Sequence, residues 1–243
     1  MKKKSIVMTA AAVMMTASIA IGGTLAYLQG NASLKNAFTM GGPDGKNDFT
    51  ITLDEATLSQ NGKGVDNTWG WVAHETERTE EGNTYKDIVP NVTLPKDPTV
   101  TNTGAYDAWV QINVEVPMSA DAYAAWLEAT KTTDAIGLAK AMFTGTDTTK
   151  FTGMAASYAD GKLVVSYPYD DVVPAADGTT FSKVTAFANV VIPNFDNDQW
   201  TKVTADLGDD GFVVNVSAKA IQTSPLFDNV ADAMGEYVEE TGE

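Results

Sequence analysis

The chain has 243 residues, 44% hydrophobic and 20% charged, with five Trp, eight Tyr and nine Phe, enough apolar material for one substantial core and too much for a disordered whole. Thirty-two acidic against 16 basic residues leave a formal charge of −16, and a surface of that sign repels phosphate backbones, so nucleic acid is not an expected partner. There is no cysteine and a single histidine, His74, which removes thiol catalysis, thiolate metal sites, disulfides and any site needing two imidazoles.

In chain order, Lys2, Lys3 and Lys4 precede a stretch without charge over residues 5–34, apolar over 6–21. A basic start, an apolar middle and a small-residue exit are the parts of a secretory signal peptide. Gly22, Gly23, Thr24 and Ala26 lie in that exit, with Thr24 and Ala26 at the −3 and −1 positions of a cut. The expected organisation is a signal peptide over residues 1–26 and one domain over 27–243 that begins at Tyr27. An uncleaved membrane anchor is the alternative, since about 17–25 apolar residues span a bilayer. Removing 26 of 243 residues, three of them lysines, takes the charge from −16 to −19 over 217 residues. Export without disulfides leaves stability to the core and to metal or subunit contacts, which fits a bacterial exported protein.

Beyond the leader the apolar residues alternate with period two, the mark of half-buried strands. Residues 49–53 are the first such segment, after a Gly-Gly-Pro-Asp-Gly turn over 41–47. Over 108–116 Ala108, Val110, Ile112, Val114 and Val116 share one side, and Pro117 closes the run. Residues 163–167, 185–192 and 212–220 are further strands. Helices are expected over 119–130, capped by Ser119 with Ala122, Tyr123, Trp126 and Leu127 on one side, and over 134–143. A weaker terminal helix spans 226–238, interrupted by Gly235. The fold class expected is mainly β, an antiparallel β-sandwich with a short α-helical insertion around 119–143.

Little in the chain carries chemistry. His74-Glu75-Thr76-Glu77-Arg78 begins like the zinc-protease helix motif but has Arg78 where the second imidazole must stand; residues 72–82 are expected to be an exposed polar loop. No Gly-x-Ser-x-Gly elbow exists for a serine nucleophile. The acid pairs Asp170/Asp171, Asp196/Asp198, Asp209/Asp210 and Glu239/Glu240 sit beside turn residues without the spacing of a calcium loop, and read as solvated turns. Trp69-Gly70-Trp71 could line a glycan or peptide site, although packing is the plainer reading; Trp109, Trp126 and Trp200 read as structural. No catalytic residue, metal ligand or cofactor is assigned.

Several pieces together resemble the TasA/camelysin family. Gly22-Gly23-Thr24-Leu25-Ala26 is similar to its export signal, Asn36-Ala37-Phe38-Thr39-Met40-Gly41 to the segment entering its first core strand, and Lys96-Asp97-Pro98-Thr99-Val100-Thr101-Asn102-Thr103-Gly104 to its Lys-Asp-Pro-x-Val-x-Asn-Thr-Gly stretch. Val216-Ser217-Ala218-Lys219-Ala220-Ile221-Gln222 looks like its closing strand. Gly42 to Asn47 depart from the pattern as an insertion. The resemblance implies a jelly-roll-like sandwich, processing by a SipW-type signal peptidase, and a secreted, extracellular place at the surface of a Gram-positive bacterium.

The resemblance further implies a secreted structural protein, a fibre-forming biofilm-matrix subunit whose partners are itself and other matrix components. Strand donation would use the new amino-terminus, with Tyr27, Leu28, Leu34, Phe38 and Met40 as the assembly strand. The alternatives are a camelysin-like cell-surface metalloprotease and a monomeric surface adhesin or binding module. The ending Glu239-Glu240-Thr241-Gly242-Glu243 offers neither apolar tail nor basic terminus, so sortase attachment is not expected.

Overall fold

The computed structural model describes residues 23–27, 37–40, 49–61, 70–83, 85, 88–205, 213–223 and 227–235. Its strands are β1 (Gly23–Tyr27), β2 (Ala37–Met40), β3 (Phe49–Asn61), β4 (Gly70–Thr79), β5 (Val92–Pro95), β6 (Thr99–Asn102), β7 (Ala108–Pro117), β8 (Phe143–Thr144), β9 (Ala155–Ala159), β10 (Lys162–Pro168), β11 (Ser182–Thr185), β12 (Asn189–Ile192) and β13 (Val213–Gln222). Four helices are described: α1 (Ala120–Thr130), α2 (Ala135–Met142), α3 (Asn197–Ala205) and α4 (Val230–Gly235). The protein is therefore mainly β, with antiparallel sheets.

One sheet has the order β1-β13-β7-β10-β9, a second the order β11-β6-β3-β2 with β4 also on β3, and a small third the order β5-β12-β8. Central β7 shows why its sequence makes a strand. Val110, Ile112, Val114 and Val116 are all buried, while Gln111, Asn113 and Glu115 stay half-exposed, so pleat and hydrophobic period agree. Each of these side chains contributes about 1.5–3 kcal/mol by leaving water. Opposite them in register lie Val216, Ala218 and Ala220 of β13 and Leu163, Val165 and Tyr167 of β10. The same buried cluster takes Ile51 and Leu53 from β3 and Val100 from β6, so the two larger sheets share one core.

Helices α1, α2 and α3 add Trp126, Leu138 and Val203 to this core, whereas Val230 and Ala233 of α4 pack with Trp109 in a separate small cluster. Ser119 Oγ accepts the Ala122 N–H at 3.1 Å and caps α1, and Asp134 Oδ1 does the same for the Gly137 N–H at 2.7 Å in α2; each cap satisfies a donor the helix itself leaves unpaired. Trp126 of α1 is buried edge-on against Phe195, with ring centroids 5.0 Å apart. Lys131 takes left-handed dihedrals where α1 ends. Asp160 and Gly161, both at positive φ, close the β9–β10 hairpin, a connection that favours Asp-Gly.

Several expectations change. The strand expected over 185–192 is two strands in different sheets, because β11 pairs with β6 and β12 with β5 and β8. Residues 72–79, expected as loop, belong to β4, whose partner β3 supplies the backbone bonds that a charged sequence does not advertise. Helix α3 was not expected from the pattern. It is held by a reciprocal capping box: the Gln199 N–H donates to Asp196 Oδ1 at 2.8 Å, and the Asp196 N–H to Gln199 Oε1 at 3.0 Å. Within the 226–238 helix the described part is α4; the 41–47 turn lies outside the described residues.

Candidate assembly edge and buried charge cluster

β1 lies antiparallel on β13, with Gly23 opposite Ser217, Thr24 opposite Val216, Ala26 opposite Val214 and Tyr27 opposite Val213. It forms the edge of its sheet, and the bond after Ala26 falls inside it. Of the other residues expected in recognition or assembly, Phe38 and Met40 belong to β2, an edge strand that pairs Phe38 with Ile51 and Met40 with Phe49. Gly22, Leu28 and Leu34 lie outside the described residues. At the opposite edge of the first sheet, β9 pairs only with β10 among the described strands.

A second feature sits where β3, β4 and the β5–β6 connection meet. The period set by Ile51 and Leu53 carries Glu55 inward, and a register shift after Ala56 turns Ala56 inward as well. Glu55 meets Lys96: Nζ donates to Oε2 at 2.5 Å, and the two side chains are 3% and 1% exposed. The other oxygen, Oε1, accepts two bonds from Asn83, from the main-chain N–H at 2.6 Å and from Nδ2 at 2.9 Å. Asn83 continues outward, donating from Nδ2 to the Ala56 carbonyl at 2.8 Å and accepting the Leu58 N–H on Oδ1 at 3.1 Å. Its four bonds pin the irregular part of β3.

Arg78 of β4 completes the cluster. Its Nε donates to Asp54 Oδ1, Nη1 to Asp97 Oδ2 at 2.8 Å, and Nη2 to the carbonyls of Asp97 at 3.1 Å and Asp54 at 3.3 Å. A planar fork with five donors suits this set of oxygens, and an ammonium does not. Partial burial pulls the Arg78 guanidinium down, but the bonds and charges of Asp97 and Asp54 outweigh it and leave it above its ordinary value. Asp97 Oδ1 accepts the Ala56 N–H at 2.7 Å. The buried Tyr85 hydroxyl donates to the Pro95 carbonyl; burial first, then the charges of Glu55 and Asp97, push its phenol well above the usual range. Trp71 covers Tyr85 edge-on, centroids 5.0 Å apart.

Thus the Lys96 to Gly104 stretch is a polar hub. After Lys96 and Asp97, Thr99 Oγ1 lies 2.8 Å from Thr185 Oγ1. Fully buried Asn102 donates to the carbonyls of Tyr106 at 2.9 Å and Val173 at 3.1 Å and accepts the Gly104 N–H at 3.0 Å. Buried polar groups of this kind are tolerated because every one is bonded. Nothing in the local pattern around Lys96 signals its burial, whereas the inward phase of Glu55 follows from Ile51 and Leu53.

The remaining candidates are dispersed. His74 is exposed on β4, opposite Thr57. Arg78, expected to be a solvated loop residue, is instead half-buried in two ion pairs. Gly70 and Trp71 begin β4, and Trp69 lies outside the described residues. Trp109 and Trp126 are buried and Trp200 is half-buried. Asp196 is a helix cap, Asp170 Oδ2 accepts the Thr152 N–H at 2.7 Å and Asp171 pairs with Lys150; the pairs at 209–210 and 239–240 lie outside the described residues. Among the described residues no group of three His, Asp or Glu side chains could hold a metal ion, and no helix is long and apolar enough to cross a membrane. No family model, curated protein or solved structure matches the chain.

Proposed function

We propose that the protein is a secreted extracellular structural protein: a jelly-roll-like β-sandwich at the surface of a Gram-positive bacterium, cut after Ala26 by a SipW-type signal peptidase and polymerised by strand donation into a biofilm-matrix fibre. The observation that supports this most is the position of β1. A cut after Ala26 takes Gly23, Thr24, Leu25 and Ala26 off the sheet and leaves the backbone donors and acceptors of Val214 to Ser217 without their partner strand. A strand from a second copy restores those bonds, and repeating the contact head to tail gives an open filament. The shared core of the two larger sheets favours the sandwich.

The donor is the segment from Tyr27 through Met40. Its far end pairs as an edge strand on β3 and would tether the donor to its own copy while the residues that follow the cut reach β13 of the next copy. The test compares protein beginning at Tyr27 with protein beginning at Phe49 by light scattering and electron microscopy. A mildly acidic buffer protonates part of the −19 charge and lowers repulsion between subunits. Elongation of the longer form alone is expected. Two forms that both stay monomeric at high concentration refute the reading. Amino-terminal sequencing of secreted material is expected to begin at Tyr27. Zinc content of the pure protein separates this reading from the metalloprotease alternative, which requires a stoichiometric metal and at least three protein ligands.

A further inference from the structure

We propose that Lys96 and Glu55 form a self-made covalent cross-link, an amide between Lys96 Nζ and Glu55 Cδ, closed inside the folded chain without a partner enzyme. The argument is independent of export and assembly. An ammonium and a carboxylate are held 2.5 Å apart and shut off from water, so that a single hydrogen bond joins the two groups that would react. One proton passed along this hydrogen bond makes an amine nucleophile and a carboxylic acid. A nitrogen so close to Oε2 stands about 3–3.5 Å from the carbon that bears it, the separation of a near-attack geometry.

The surroundings favour the addition step. Asn83 aims its main-chain N–H and its Nδ2–H at Oε1, the oxygen on which negative charge develops when Nζ adds to Cδ, and two preset donors there act as an oxyanion hole. The bonding balances within the pair. Nζ–Cδ forms, Cδ–Oε2 breaks, two of the three ammonium protons leave with Oε2 as water, and the third stays on the amide nitrogen. No oxidant or other reactant is consumed. The bond from the Tyr85 hydroxyl to the Pro95 carbonyl fixes the residue before Lys96, and that from the Lys96 N–H to the Ala188 carbonyl fixes Lys96 itself.

The other ion pairs of the described residues do not share these conditions. Lys150–Asp171 and Lys162–Glu115 have side chains around half-exposed and open to water, and Arg78 has a guanidinium, which stays protonated. The link would join β3 to the β5–β6 connection across 41 residues, giving a chain without cysteine the kind of tie that disulfides provide elsewhere.

Intact mass spectrometry of the purified protein decides the matter. Compared with the sequence read from the measured amino-terminus, the chain is expected to be lighter by one water. Trypsin is expected to leave the bond after Lys96 uncut, and the peptides containing Glu55 and Lys96 to emerge as one branched species. Glu55→Ala is expected to restore the full mass and the tryptic cut. Wild-type protein at the full sequence mass overturns the proposal, and so does a water loss that maps elsewhere, such as the Asp160-Gly161 turn. The wild-type measurement suffices even if the variant fails to fold.

Discussion

The β13-β7-β10 part of the first sheet and the junction of β3, β4 and β6 belong to one molecule but are held by different physics. In the first, Ile112, Val114, Val216 and Leu163 exclude water from an apolar layer, an interaction that is additive, undirected and forgiving of shape. In the second, Glu55, Arg78, Lys96 and Asp97 are joined to Asn83 and the backbone by directed bonds. A network of buried and half-buried charges is stable only when complete, because removing one member strands its partner. A conservative change should therefore be mild in the sheet and severe at the junction.

The largest effect is expected from Glu55→Ala, which leaves the Lys96 ammonium buried without a carboxylate and should cost about 3–5 kcal/mol. The sharper comparison is Glu55→Asp against Ile112→Val, the latter expected to cost about 1 kcal/mol. Urea unfolding midpoints check both, and a milder Glu55→Asp would break the contrast. Arg78→Ala should cost about 2 kcal/mol, the range for hydrogen bonds to charged groups, and Arg78→Lys should recover little because an ammonium cannot fork between Asp54 and Asp97.

Alkaline pH probes the junction through Tyr85. Its phenol is raised in the folded state, so its contribution is intact below the unfolded value of about 10 and falls as pH rises above it. The loss approaches about 1.4 kcal/mol per pH unit for one group, and Tyr85→Phe should reduce the alkaline slope of the unfolding free energy measured from pH 9 to 11 (about one unit either side of the free phenol). The smallest effect is expected at α3, where Asp196→Ala removes one half of the capping box and should cost about 1 kcal/mol, read as a small drop in melting temperature.

These two regions were also unequally readable. Strands β7 and β13 followed from alternation because their burial is decided by the side chains along each strand. Helix α1 followed from Ser119 and its apolar side. Strand β4 did not, since His74-Glu75-Thr76-Glu77-Arg78 has no apolar period and takes its conformation from β3. Helix α3 is short and polar, yet Asp196-Asn197-Asp198-Gln199 carries the capping-box spacing that marks a helix start. The split of β11 from β12 turns on which sheet each strand joins, and local period carries no information about that. In the charge cluster Glu55 could be placed inward by counting from Ile51, but Lys96 is buried by a partner 41 residues away. The edge position of β1 likewise depends on β13, contributed from the far end of the chain.

That last pairing governs how fast the molecule can form. Strand β13 stands between β1 and β7, and it is supplied by residues 213–222. Neither neighbour acquires its bonds there until residues 213–222 are present, so the β1-β13-β7 part of the sheet closes by long-range search, whereas the β9–β10 hairpin is local. Chains dominated by such contacts fold on the millisecond-to-second scale, and closing long loops must precede any reward from packing. A polypeptide still emerging from the ribosome keeps the facing edges of β1 and β7 open until residues 213–222 arrive.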